Sequence, residues 1–400
     1  MNRWLLPLVA AVLVSMLAPA AAGACGHGFL PRADLGLLQA DALTEASGLA
    51  ASRRNPGVLW AQNDSGDLNR VFALNDRGEH LGTYTIAGAT NRDWEDVAVG
   101  PGPEPGVTYL YIGDIGDNNA VHDLKYIFRV PEPHVDPEQA PIDTTLSDVE
   151  TISFRYPDGM RDAETLMLDP LTSDLYVVSK REPAVRVYRA PYPQPVGSTM
   201  TLEFVASLAI SSVVAGDISP GGEGILLKTY SQVFYWCRNA AQSVADAIAA
   251  APAAVPYTPE PQGEAIAWDS NGRDYFTTSE EPAGIQAHLF VYRRPPAVGV
   301  GSPGEGAATD ETDALPAPSP FRSETEIRYV LEEPAHTRLV LYSAGGRAVR
   351  MLLDAWQEAG ERHAHWDGCD DAGRPVPAGV YYYALETAHG VRRGRVVLAR

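Results

Sequence analysis

Glu45-Ala-Ser-Gly-Leu-Ala50, Trp94-Glu-Asp-Val-Ala-Val99, Ala163-Glu-Thr-Leu-Met-Leu168, Gly216-Asp-Ile-Ser219 and Gly263-Glu-Ala-Ile-Ala-Trp268 are variants of one phrase. An acidic residue opens a short apolar run, a turn follows, and a second strand-like run ends in polar residues. The opening acids Glu45, Glu95, Glu164, Asp217 and Glu264 stand 50, 69, 53 and 47 positions apart. A strand-and-turn repeat of roughly 40–50 residues is the signature of propeller blades. The fold expected is all-β, a five-bladed β-propeller, or six-bladed if the long interval after Tyr126 holds a degenerate copy.

Around each phrase the strands can be read individually. The second repeat offers Val97 to Val99, Thr108 to Ile112, Tyr126 to Val130 and Glu150 to Arg155; the third offers Leu166 to Leu168, Leu175 to Val178, Val185 to Tyr188 and Leu202 to Val205. These alternating or β-branched runs are bounded by turn formers such as Asp158-Gly159, Asp169-Pro170 and Asn271-Gly272. Leu35 to Leu38, ahead of the first repeat, is placed to supply the last blade's outer strand and close the ring. Only Ala240 to Ala250 reads as helix.

Residues 25–294 therefore form the propeller. Residues 295–320, with Pro295-Pro296 and Pro316-Ala-Pro-Ser-Pro320, read as a Pro/Gly-rich linker. Residues 321–400 hold six short strands with turns every ten or so residues, which predicts a small β-sandwich.

The C-terminal stretch carries a set of motifs in fixed order. They are Pro320-Phe321, Thr325 to Leu331, Leu341-Tyr-Ser-Ala-Gly-Gly-Arg-Ala-Val-Arg350, His365-Trp-Asp-Gly368 and Asp370 to Tyr383. Together they resemble the immunoglobulin-like module of FlgD-type proteins and the related C-terminal sorting domains of secreted bacterial proteins. That resemblance implies an export, anchoring or secretion-machinery contact. More loosely, Asn63 to Asp67, Asn91 to Asp96 and Gly113 to Asn119 resemble segments of exported bacterial β-propellers.

Composition fits export. Arg3, the apolar Leu5 to Leu17 and the small residues Ala20 to Ala24 read as a signal peptide over residues 1–24, too short to span a bilayer. The expectation is a secreted or cell-surface protein; the alternative is a lipoprotein anchored through Cys25. Lys plus Arg at 31 against Asp plus Glu at 51 gives a net charge of −20, which disfavours nucleic acid and anionic membrane as partners. A bond between Cys237 and Cys369 is not expected across two domains, so stability is assigned to packing.

In a propeller every innermost strand begins on one face, beside the central channel. Glu45, Glu95, Glu164, Asp217 and Glu264 would then ring one mouth, with Asp114 in a neighbouring turn. Hard oxygen ligands of this kind suit Ca²⁺ better than Zn²⁺. A second use is open: each acid could bond backbone N–H groups of the next blade. Asp64, Asp67, Trp94, Lys180, Lys228 and Glu280 are the residues expected to meet a ligand or partner protein at the mouth. The function read from this is binding or interaction; the alternative is a metal-assisted hydrolase, lactonase- or phytase-like. No Gly-x-Ser-x-Gly elbow, phosphate loop or dinucleotide fingerprint is present.

Overall fold

The computed structural model describes residues 28–295 and 315–399, apart from 240, 318, 320, 332–333, 344–347, 372 and 388–389. The expected signal peptide and Cys25 lie outside the described residues. The chain divides into two compact units, Met1–Arg294 and Pro295–Arg400.

The front unit holds five antiparallel-based sheets. The first runs Ala46–Ala51, Val58–Asn63, Arg70–Asn75, His80–Ile86; the second Trp94–Pro101, Thr108–Asp114, Lys125–Pro131, Glu150–Arg155. The third is Ala163–Leu168, Leu175–Ser179, Val185–Ala190, Glu203–Leu208; the fourth Val213–Ile218, Gly224–Thr229, Val233–Cys237, Ala253–Val255. The fifth has Ala265–Trp268, Tyr275–Thr278 and His288–Tyr292, and its outer strand is Ala33–Leu37 from the start of the chain. The segment ahead of the first repeat thus pairs with the last sheet as expected, with Ala33 opposite Val291.

Sheet order follows chain order because each sheet is apolar on both faces. Trp60 and Tyr84 pack on Trp94 and Phe128 of the second sheet, and Tyr109 and Phe154 of the second on Leu166 and Tyr188 of the third. Val178 and Val187 of the third meet Ile225 and Trp236 of the fourth; Tyr235 of the fourth meets Trp268 and Tyr275 of the fifth. Finally Ala267 and Leu289 of the fifth pack on Leu49 and Phe72 of the first. Strands buried on both faces need continuous apolar runs rather than strict alternation, and eight of the ten inner and second strands, such as Leu175–Ser179 and Gly224–Thr229, are buried at every residue. The five inner strands touch in the cyclic order of the sheets, a propeller-like arrangement.

Two short strands were not anticipated. Ile142–Leu146 leaves the second repeat to pair in parallel with His80–Ile86 of the first sheet, and Thr199–Thr201 leaves the third to pair with Glu150–Arg155 of the second. The long interval after Tyr126 contains this back-reaching strand. The expected helix is shorter than its Ala-rich window: Val244–Ile248, started by a Ser243/Asp246 capping box. Cys237 is disulfide-bonded and Cys369 is a free thiol, so packing is not the only staple.

The C-terminal unit is a sandwich of Leu315–Ala317, Thr325–Leu331 and Gly360–Trp366 against Ala348–Gln357, Ala335–Ser343, Gly379–Thr387 and Gly390–Leu398. The motif residues are its core: Trp366 lies 5.2 Å from the Phe321 ring and 5.0 Å from that of Tyr381. Leu315–Ala317 pairs with Thr325–Leu331, so the tail of the expected linker is strand. Pro316 is tolerated there because the strand is at the sheet edge.

Candidate functional site

In each of the first four sheets the innermost strand carries one residue too many for its neighbour. These extra residues are Ser47, Glu95, Glu164 and Val214. Such bulges kink the strand and re-aim a side chain. In the fifth sheet Glu264 stands immediately before Ala265–Trp268. The register corrects the expectation of five equivalent acids: Glu95, Glu164 and Glu264 correspond, whereas Glu45 and Asp217 do not. Glu45 lies two residues ahead of the bulged Ser47 and is exposed. Asp217 is the fifth residue of its strand, and its Oδ2 accepts the Trp268 N–H at 2.8 Å and sits 4.0 Å from Arg53. Asp217 thus ties the fourth sheet to the fifth, the backbone-bonding use left open by the sequence.

A second set of positions faces the bulges. The carbonyls of Glu45, Asp93, Asp162 and Gln262 accept the N–H groups of Asp64, Gly116, Lys180 and Glu280, which therefore occupy one structural position. Asp64, Lys180 and Glu280 were expected at the mouth. Gly116 is their counterpart in the second sheet and has no side chain. A Cβ there would collide with Glu95 Oε1 and stand 2.6 Å from Asp93 Oδ2.

The missing side chain leaves room where carboxylates converge. Asp64, Asp93 and Glu95 bring carboxylate oxygens within 4.8 Å of one another, and so do Glu95, Asp162 and Glu164. Glu95 belongs to both groups. Ser47 donates its hydroxyl to the Glu95 carbonyl at 2.6 Å and lies 3.4 Å from Glu95 Oε2. Glu164 Oε1 is 2.5 Å from Lys180 Nζ, while its Oε2 is buried without a hydrogen-bond partner. Asp162 accepts the Asp117 N–H at 2.8 Å and pairs with Arg181 at 2.5 Å. Asp93 and Asp162 escaped the sequence reading. The signal was there: Asp93-Trp-Glu95 and Asp162-Ala-Glu164 are the same acid-x-acid spacing in consecutive repeats.

Other expected site residues have different work. Asp114 is buried, and its Oδ1 accepts the Asp93 N–H at 2.9 Å, fixing the turn that carries Asp93. Asp67 is paired with Arg70 at 2.7 Å and accepts from Asn63. Trp94 is buried, donates to the Thr90 carbonyl at 3.0 Å and packs on Phe128, so it lines no cleft. Lys228 is fully buried; its ammonium donates to the Gly263 carbonyl and lies 4.7 Å above the Tyr257 ring. Burial pushes it down to about 8 against the opposing pull of Glu260 and Glu264.

Electrostatics around Glu95 is frustrated. Burial, then Glu164, Asp64 and Asp93, hold the Glu95 carboxyl well above the usual carboxylate range. Burial pushes Glu164 up to about 8 although Lys180 works against it, and Asp64 up to about 6. Glu280 is pushed to about 8 by burial and by Glu264 beside it. Burial alone would lower Lys180, but Glu164 and Glu264 more than offset it and hold its proton firmly. Lys180 also stands 5.5 Å over the Tyr230 ring, and Tyr230 donates its hydroxyl to Glu264. Carboxylates crowded at this density hold protons, bind cations, or both.

Residues 321–390 match the FlgD Ig-like domain family, so the C-terminal unit is an immunoglobulin-like domain of that type. No curated protein sequence matches the chain. Among solved structures, the PQQ-bound aldose sugar dehydrogenase of Streptomyces coelicolor is similar at 13% identity and a TM-score of 0.38, over 65% of this chain and 97% of that one. PorZ of Porphyromonas gingivalis, a surface component of the type-IX secretion system, is similar at 13% identity and a TM-score of 0.31, over 88% of this chain and 51% of that one. Among the described residues no helix is long and apolar enough to cross a membrane.

Proposed function

We propose that the front unit is a five-bladed β-propeller of an exported binding protein, which holds a calcium ion at its acidic mouth and presents it to an oxygen-rich ligand. The observation that carries this reading is the convergence on Glu95. Two carboxylate groups share it, a glycine stands where a side chain would fill the space, and the buried Glu164 Oε2 has no partner. A hard cation with oxygen ligands from Asp64, Asp93, Glu95, Asp162 and Glu164 would neutralise the cluster. Neither group contains a histidine or cysteine, which disfavours zinc. The FlgD-type domain would handle docking or anchoring at the cell surface.

Protein stripped with chelator and re-equilibrated with calcium should retain about one equivalent by elemental analysis, and Glu95→Gln should retain none while keeping the wild-type circular dichroism. Full retention by that variant would refute the assignment. A hydrolase reading draws on one further observation: Lys180, Tyr230, Glu264 and Glu280 stand beside the acids and would supply a cationic clamp and a proton carrier. It requires calcium-dependent turnover of lactone or phosphate-ester substrates that Glu164→Gln abolishes; no turnover across both classes would leave binding as the function.

A further inference from the structure

We infer that the end of the front unit at which its inner strands begin is a docking surface for a polypeptide that carries lysine or arginine among apolar side chains. This rests on the binding role proposed above, though not on the ion, and deepens it: the ligand becomes a protein segment, whose carbonyls supply the oxygens. The observation is a collar of exposed apolar residues. Asn63 lies opposite Ala46, Asp114 opposite Trp94, Thr229 opposite Val213 and Thr278 opposite Ala265, so the loops after these second strands lie where the inner strands begin. Leu68, Val121, Tyr230 and Ile285 stand on those four loops, and Met160 on the link that enters Ala163–Leu168. All five are between 37% and 65% exposed. Turns are ordinarily built from Gly, Pro and small polar residues, and large apolar side chains grouped in water mark an interaction site. At the opposite end the exposed large apolar residues Leu171, Tyr192 and Val196 belong to turns of the third sheet alone.

The collar is presented on backbones that are already fixed. The Leu68 carbonyl accepts the Arg70 N–H at 2.9 Å, the Val121 N–H donates to Asp117 at 2.9 Å, and the Ile285 N–H to the Pro282 carbonyl at 3.2 Å. Asp117 is held in turn by the buried Lys125 at 2.8 Å, and Tyr230 by its hydroxyl on Glu264. A partner thus meets ordered loops, and little ordering cost remains to offset the apolar contact.

Charge selects the occupant. The chain carries −20, and residues 321–400, with eleven arginines, no lysine and eleven acids, contribute none of it. Around the collar the cations are already committed: Arg70 to Asp67 at 2.7 Å, and Arg161 to Glu182, Lys180 to Glu164 and Arg181 to Asp162 at 2.5 Å. Glu45, ahead of the first inner strand, and Glu280, on the loop that carries Ile285, make no ion pair among the described residues. Neither is among the calcium ligands proposed above. A basic side chain of the partner complements them and steers its approach, whereas an anionic bilayer is repelled. Four of the five collar residues are aliphatic, which suits the apolar side chains of a polypeptide rather than the hydroxyl-covered rings of a sugar.

Phage-displayed random dodecapeptides, panned on the full chain with calcium present, supply the probe. Enriched sequences should set Lys or Arg beside Leu, Ile, Val or aromatic residues. The synthesised consensus peptide should bind saturably by calorimetry, and more weakly in about 0.5 M than in about 0.1 M NaCl. Leu68→Ser/Ile285→Ser should weaken it about tenfold or more, as loss of apolar anchors does, while keeping the wild-type circular dichroism and calcium content. Peptide binding undiminished in that variant would sink the docking surface and leave the calcium assignment standing; collar-dependent binding by a protein that retains no calcium would do the reverse. No enrichment over panning without protein, a consensus lacking Lys and Arg, or affinity independent of salt would overturn the inference. So would binding to phosphatidylcholine vesicles, or self-association, lost in the same variant, which would assign the collar to a lipid surface or to a second copy.

Discussion

Gly116 is where the candidate site is most sharply specified. At the position where three other sheets place Asp64, Lys180 and Glu280, the second sheet places a hydrogen atom against Glu95 and Asp93. Gly116→Ala should weaken calcium binding by about tenfold or more, the scale on which groups that position ligands act, with little change in the circular dichroism spectrum. Calorimetric titration of the two proteins makes the comparison. The crowded acids also set a pH dependence. In the ion-free protein Glu164 is pushed up to about 8 from an ordinary 4.5, so between those values the folded state binds more protons than the unfolded one. Stability must then fall as pH rises through that window. Thermal melts of chelated protein should show a drop of about 5 °C or more between pH 5 and 8, and saturating calcium should flatten it. Calcium affinity should move the opposite way and rise from pH 6 to 8, because binding displaces the same protons. Melts independent of pH would count against the crowding.

At the scale of the element, the bulges decide what the repeat means. The recurring acid-plus-apolar phrase was legible, and so were most strands and the pairing of the segment near Leu35 with the last sheet. The register was not. Glu45-Ala-Ser and Trp94-Glu-Asp look alike as strings, yet the extra residue is Ser47 in one and Glu95 in the other. One residue of slip sends a side chain to the opposite face, and nothing local in the sequence marks a bulge. Asp217 falls outside the set for the same reason, since an acid late in its strand meets the next sheet. Asp96 shows that second use most plainly. It is buried, and its carboxylate accepts the Leu166 N–H of the next sheet at 3.0 Å and its neighbour Val97 N–H at 2.9 Å. Burial holds it well above the usual carboxylate range. Asp96→Ala should cost about 1–3 kcal/mol by orphaning these donors, seen as a melting temperature lower by about 2–4 °C per kcal/mol, with calcium affinity nearly unchanged.

For the whole molecule, two features follow from how the sheets are joined. The fifth sheet takes its outer strand from Ala33–Leu37, so the front unit is fastened through the ends of its own chain segment. Removing residues up to 37 should bare the His288–Tyr292 edge, destabilise the unit and promote self-association, as exposed strand edges do; size-exclusion chromatography and thermal melts would register both. The back-reaching strands Ile142–Leu146 and Thr199–Thr201 extend the same logic, each repeat pairing with the sheet before it. They were invisible in the sequence because their partners lie in another repeat, and parallel edge pairing leaves no local pattern. The proposed function rests on Glu95, which meets Asp64 and Asp93 in one group and Asp162 and Glu164 in another. The most direct test is isothermal titration of chelator-stripped protein with calcium, beside Glu95→Gln. The account predicts saturable binding near one equivalent with proton release, lost in the variant. Absence of binding in the unmutated protein, or identical titrations for the two, would contradict it.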